Sequence, residues 1–497
     1  MKKSLVIVSL MFALSVLAAC NANNIDSPYE NGTRPDLSGQ TIGVQAQYIS
    51  TVQNSSPMCL DTASYLFERL DAIWDADGGN LWGINLHSPV VIADTMTRYA
   101  VANMPDVDGE IFTKQGNVYV GLIPEDERIA SNIIYFGGRS WGMITWEAVN
   151  HTDIESTVLL ILHKTFHAQQ FNIFEGWPYS STNSHMDGLD ARINVMLELN
   201  ALLYALRSTG ETQIAAVLDA ISIRAERHRL NEDADRGENS QEILEGTALY
   251  NDVVLGMDNL YDRLAFIENF IDTMSQQTMR TFGYYTGALY ALLLDEFDVD
   301  WRSELSWDCD LSAILKEAIG FTRTIPFNEI DVEHYGYSKI RPVQEAWAAE
   351  NDHITQKAWD AFSGSLLLID AMGEFNENSD EAEIEVLFLQ GLQLHAYDEF
   401  DYGCEDVHLL IGERNNERTV FWGNFTYTAD FGMVEFTGGY LMLWRVMWRH
   451  GIPAYNIEVD SNRVIGTNWV LTLNDGFELR EVGGGHFGIG SNRPAGN

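Results

Sequence analysis

The chain has 497 residues, 46% of them hydrophobic, and a formal net charge of −42. That length supports two or three packed domains. The acidity disfavours nucleic acid and anionic lipid headgroups as partners, without identifying a substrate.

The N-terminus reads MKKSLVIVSLMFALSVLAAC. Two lysines precede an apolar run from Leu5 to Ala19, too short and wrongly flanked for a stable membrane span. Leu17-Ala18-Ala19-Cys20 resembles the bacterial lipobox. The resemblance implies a signal peptide over 1–19, cleavage before Cys20 and acylation of that cysteine. An ordinary secretory leader is the alternative. Asn21 is not the aspartate that favours inner-membrane retention, so a lipid-anchored outer-membrane lipoprotein is expected. Several acyl chains, at roughly 0.8 kcal/mol per buried CH₂, make a durable anchor. The polar, turn-rich stretch 20–40 reads as a tether. No second apolar run is long enough to span a bilayer.

Residues 41–150 form an N-terminal α/β region. The apolar spacing over 62–74 predicts an amphipathic helix, and 88–93, 116–123 and 131–136 read as strands between Gly, Pro, Asp and Asn. From 151 to 300 the pattern is helical, with helices over 153–172, 188–207, 212–229, 240–255, 260–274 and 284–296. A linking region, 301–384, contains a loop with Pro326 and Pro342 and then a helix over 342–362. Alternation over 418–428 and 468–480 predicts a C-terminal antiparallel β module, 385–497. The fold class is α+β.

Four cysteines, Cys20, Cys59, Cys309 and Cys404, are too few for a disulfide scaffold, and no C-x-x-C pair is present. At most one disulfide can form among the last three; buried, inert thiols are expected. Gly138-x-Ser140-x-Gly142 has the spacing of a hydrolase nucleophile elbow, but the residues after Ser140 alternate like a strand, which predicts a hairpin. The acidic stretches 75–80 and 106–110 lack the glutamate of a calcium loop at the twelfth position and read as turns. Gly483–Gly490 lacks the lysine of a P-loop and also reads as a hairpin. The thirteen tryptophans sit at core-like positions.

The chemistry concentrates in ILHKTFHAQQ, 161–170. At i and i+4 of a helix, His163 and His167 share a face and can present two imidazoles to one ion. Downstream, Glu245-Gly246-x-Ala248-x-Tyr250 resembles the E-G-x-A-x-Y helix that supplies the third zinc ligand in gluzincin metallopeptidases. PheHisAlaGlnGln (166–170) resembles the F-H-x-x-Q ending of their zinc helix, and residues 283–295 resemble the G-x-x-Y-x-x-L-L helix packed behind it. The region 150–300 is therefore similar to that clan. The resemblance implies a helical metallopeptidase-like core with zinc on His163, His167 and Glu245. Gly246 and Ala248 are small enough for a second helix to approach closely. Glu242, one turn before Glu245, is placed to orient a ligand.

Lys164 departs from the pattern, standing where the family's H-E-x-x-H carries its catalytic glutamate. An ammonium has no lone pair with which to accept a proton, so peptidase activity is expected to be impaired or lost. Three readings remain: a zinc-holding pseudoenzyme that binds a peptide or protein; an active metallohydrolase using another base, with Glu242 or Glu198 the candidates; and an envelope binding lipoprotein without metal. Glu198 is otherwise a helix-surface acid.

Overall fold

The chain divides into two units between Gln344 and Glu345. The computed structural model describes residues 58–370 apart from 126, 175, 177, 180–182, 232–233, 275–280 and 362–363. Beyond these it describes 407–411, 418–429, 432–444, 449–454, 456–483 and 486–491. The leader, Cys20, the tether and Cys404 lie outside the described residues. Among the described residues, no helix is long and apolar enough to cross a membrane.

The larger unit opens with α1, Leu60–Asp77, which buries Ala63, Leu66, Phe67, Leu70, Ile73 and Trp74 at helical spacing. It ends where Gly78 takes a left-handed conformation, φ 57°, and its N–H caps Trp74. Six strands follow: β1 Val90–Ala93, β2 Tyr99–Ala102, β3 Thr113–Gln115, β4 Val118–Leu122, β5 Asn132–Phe136 and β6 Arg139–Thr145. They form one sheet in the order β3-β4-β2-β1-β6-β5, with β1 and β6 parallel and the other pairs antiparallel. Gly137 and Gly138, both at positive φ, turn the chain between β5 and β6. Ser140 thus lies in a hairpin strand. The two acidic stretches are turns closed by their own carboxylates: Asp77 accepts from the N–H of Gly79 and Leu81, and Asp106 from those of Glu110 and Phe112.

The helices are α2 Ile154–Ile173, α3 Leu189–Leu206, α4 Gly210–Leu230, α5 Ala234–Gln241, α6 Thr247–Gly256, α7 Leu260–Met274, α8 Phe282–Glu296 and α9 Leu311–Ala318. A π turn, Glu242–Gly246, joins α5 to α6. Helix α2 is apolar almost all round and buries every residue from Thr157 to His167. It crosses the interior against β6 and α6, and Asp153 caps its start through the Ser156 N–H. At the crossing with β6, a Cβ on Gly142 would lie 2.7 Å from the Thr165 methyl, so only glycine lets the strand approach. Trp141, Trp301 and Trp307 are fully buried.

Two expectations are corrected here. Pro342 lies inside the long helix α10, Tyr337–Ala361, and not in a preceding loop. Past the first turn, it removes one backbone bond and crowds the carbonyl four residues back, the usual cost of a proline inside a helix. Cys59 is exposed at the N-cap of α1 instead of buried, while half-buried Cys309 contacts Ser306.

The second unit carries β7 Leu366–Asp370, β8 Val407–Ile411, β9 Arg418–Ala429, β10 Gly432–Trp444, β11 Arg449–Pro453, β12 Glu458–Asp460, β13 Arg463–Ile465, β14 Trp469–Leu473, β15 Phe477–Gly483 and β16 His486–Ser491. All pair in one sheet, antiparallel except where β16 meets β7. The alternating stretch 468–480 is two strands broken at Gly476, φ 93°, and they part: β14 joins β10 and β13, whereas β15 joins β16. Val434, Phe436, Ile452, Val464, Trp469 and Leu471 fill one core. The molecule is α+β, with a C-terminal, largely antiparallel sheet.

Candidate metal centre

His163 and His167 are 3% and 6% exposed, and their Nε2 atoms face each other at 3.0 Å. Glu245 Oε2 lies 3.3 Å from both. For a tetrahedral ion with ligand bonds of about 2.0–2.1 Å, the ligand–ligand edge is about 3.3 Å. Among the described residues these three form the one His, Cys, Asp and Glu group that could hold a metal ion.

The outer hydrogen bonds bear on the ring tautomers. The Gln170 amide nitrogen donates to the Leu244 carbonyl at 2.7 Å and to Thr247 Oγ1 at 2.9 Å. Its oxygen therefore faces His167 Nδ1, 2.8 Å away, and that nitrogen must carry the proton. His163 Nδ1 likewise meets Asp252 Oδ2 at 2.8 Å. Both Nε2 atoms are left as lone pairs, turned on each other and on a carboxylate oxygen. Three acceptors so close repel unless a cation lies between them. The donor set fits zinc in residue type, spacing and tautomer.

The titration directions agree. Burial pushes His163 down, but Asp252 and Glu245 outweigh it and raise its pKa. Burial dominates at His167 and lowers it, against the pull of Glu245. Burial also pushes the Glu245 carboxyl up, yet the two facing imidazoles hold it far below the ordinary range. Asp252, fully enclosed, is raised by burial against the pull of His163. Two buried carboxylates beside two imidazoles call for positive charge, whether a proton or a metal ion.

Lys164 is 2% exposed.

The π turn aims Glu245. Thr247 N–H bonds the Glu242 carbonyl five residues back, and each residue added to a helical turn re-aims the later side chains by about 100°. The carbonyls of Ile243 and Leu244 are taken up by Gln170, so one side chain both fixes His167 and supports the turn that carries Glu245. A bare crossing with α8 admits the turn. A Cβ on Gly246 would lie 2.6 Å from Gly287 Cα, and one on Gly287 would lie 2.7 Å from the Glu242 carbonyl. Gly246→Ala is expected to cost at least about 3 kcal/mol, the upper range for overpacking, because the clash is with backbone. An unchanged melting temperature would contradict this crossing.

Glu242 stands three residues before Glu245, but its bonds and those of Glu198 run to a buried ionic cluster. Arg224 Nη1 and Nη2 meet the Glu242 oxygens at 2.5 and 2.9 Å, and Thr286 Oγ1 donates to Glu242 Oε1 at 2.6 Å. Glu198, fully buried and not on the helix surface, pairs with Arg227 at 2.6 Å and accepts from Tyr290 at 2.7 Å. Arg227, His185 and His228 converge on Glu238. Burial pushes Glu238 up, but Arg227 and the two histidines hold it well below the ordinary value of 4.5. A depressed carboxylate adds stability that is complete above its unfolded pKa and is lost as pH falls through the folded one. Glu238→Gln is expected to cost about 3–5 kcal/mol at pH 7 and to flatten the acid limb of stability below about pH 4.5. Parallel wild-type and variant curves between pH 5 and 3 would contradict it.

Sequence reading missed Asp252 and this cluster. Asp252 had a signal, since seven residues after Glu245 is two helical turns along one face. The cluster had a fainter one: Arg224 and Arg227 on one helix, Glu238 and Glu242 on another, each pair one turn apart.

No family model, curated protein or solved structure matches this chain. The likeness to gluzincins therefore rests on the motif residues alone.

Proposed function

We propose that this is a zinc-holding, metallopeptidase-like protein whose peptide hydrolysis is impaired or lost, used to bind a peptide or protein and carried in the envelope by a lipid on Cys20. The observation that carries the reading is the meeting of His163 Nε2, His167 Nε2 and Glu245 Oε2 at 3.0–3.3 Å, with both Nδ1 protons engaged elsewhere. Zinc bound there would supply Lewis-acid polarisation of a carbonyl.

The remaining work falls to the chain. Asp252 and Gln170 hold the two imidazoles in one tautomer, and Tyr284, stacked on His163 at 5.6 Å, limits its rotation. No proton can be accepted by Lys164 as an ammonium, which supports impairment. The reading with a substitute base is weaker, because both Glu242 oxygens are held by Arg224 and Glu198 is held by Arg227 and Tyr290.

Metal analysis of the purified soluble chain, with turnover on a broad peptide library, tests the proposal. The expected result is about one zinc per chain, following from one His₂Glu site, with little or no cleavage. A chain that takes up no zinc at neutral pH refutes the site; rapid cleavage refutes the impairment.

A further inference from the structure

The helix from Ala234 to Gly256 presents carboxylates to two different partners. Up to the first residue of the π turn, Glu238 and Glu242 face the guanidinium groups of α4. From Glu245, the fourth residue of the turn, onward, Glu245 and Asp252 face the imidazoles of α2. The π turn is the device that separates these faces. Such turns are rare because they lose to the regular α-helix unless their surroundings fix them.

Glu242 is the first residue of the turn, fully buried, and only three residues from the ligand Glu245. Its carbonyl accepts the π bond from Thr247, and its side chain is held three ways, by both Arg224 terminal nitrogens and by Thr286. Arg224 is itself fixed by Asn239 Oδ1 at 2.7 Å. Burying such a pair costs several kcal/mol per ion, more than its attraction reliably returns. Its placement at the start of the π turn gives it a geometric use.

We infer that Arg224, acting through Glu242, is a positioning residue for the metal site: the ion pair holds the π turn open and so aims Glu245 at His163 and His167. Relaxation of the turn to regular helix would re-phase Glu245 relative to Glu242, because a π turn advances each residue by less than an α-helix does, and carry it out of reach of the two imidazoles. This rests on the metal-binding reading and deepens it, since it states what the third ligand's position depends on.

The test uses the full chain and two variants, Glu242→Gln and the double change Arg224→Met with Glu242→Gln. The double variant removes both charges, a replacement that commonly leaves stability intact, and so covers the case in which the single variant does not fold. Zinc affinity by chelator competition is expected to weaken about 10–100-fold, the range for supports behind metal ligands, in both folded variants. The visible spectrum of the cobalt(II)-loaded protein is expected to change as a ligand is lost, which a merely structural role would not produce. Wild-type zinc affinity and an unchanged cobalt spectrum in the variants overturn the inference.

Histidine ¹⁵N NMR of metal-free protein separates this failure from failure of the site. If wild type binds neither zinc nor cobalt, the metal reading falls. The positioning claim is then decided by the His163 and His167 ring signals: a shift in Glu242→Gln supports it, and identity with wild type overturns it.

Discussion

His163→Ala is expected to abolish stoichiometric zinc binding, with an affinity loss exceeding the roughly 10–100-fold that changes behind the ligands cost. It removes one of three ligand atoms and breaks the contact through which Asp252 fixes the pair. It also leaves Asp252 buried and without its imidazole, a loss of the kind that costs about 3–5 kcal/mol. A fall in metal content could then be mistaken for unfolding. His167→Ala is the cleaner companion, because its outer partner Gln170 is a neutral amide that keeps its bonds to the Leu244 carbonyl and to Thr247. Metal content after dialysis, read beside circular dichroism and a melting curve, checks both. A folded His167→Ala protein that retains full zinc would show that the ion lies elsewhere.

Lys164→Glu is expected to raise zinc-dependent peptide hydrolysis by about 10²–10⁴-fold, the range that a positioned general base contributes. Wild type places a lysine, which as an ammonium cannot accept a proton, at the position from which the resembled family draws its base. A carboxylate there supplies the lone pair. The same change acts on affinity. Burial and the neighbouring carboxylates outweigh Lys164 at both histidines, but its charge opposes positive charge there; a negative charge in its place favours a cation between them. Turnover and zinc affinity should therefore rise together. Steady-state rates on a mixed peptide pool, with and without a chelator, measure the first. A folded, zinc-loaded Lys164→Glu protein no faster than wild type would show that more than the base has been lost.

Much of this site is legible in the sequence. Four-residue spacing places His163 and His167 on one helix face whatever surrounds them. The apolar run from Thr157 to Leu162 marks a helix that crosses a core. Glu245 with Gly246 and Ala248 marks a carboxylate on a helix that packs closely. The helices are legible because period 3.6 is local. So is the β character of 418–428, since alternation is local too.

The features that escape the sequence depend on contacts distant along the chain. Strands β2 and β3 are too short to show a period, and β14 and β15 read as one strand until a glycine and the sheet partners separate them. The helix expected over 240–255 starts earlier, at Ala234, and is interrupted by the π turn. That interruption has no local pattern, since Gly283 and Gly287 of another helix, Gln170 of a third and Arg224 of a fourth fix it. Glu242 reads as a support for the ligands; tertiary packing gives that contact to Asp252 and Gln170 and turns Glu242 toward Arg224. The sequence by itself determined which residue types can hold an ion and which helices carry them, because spacing along a helix is a covalent matter. Only the tertiary structure decided which carboxylate faces the histidines, because a one-residue change in helical phase re-aims a side chain, and that phase is set by the neighbours it packs against.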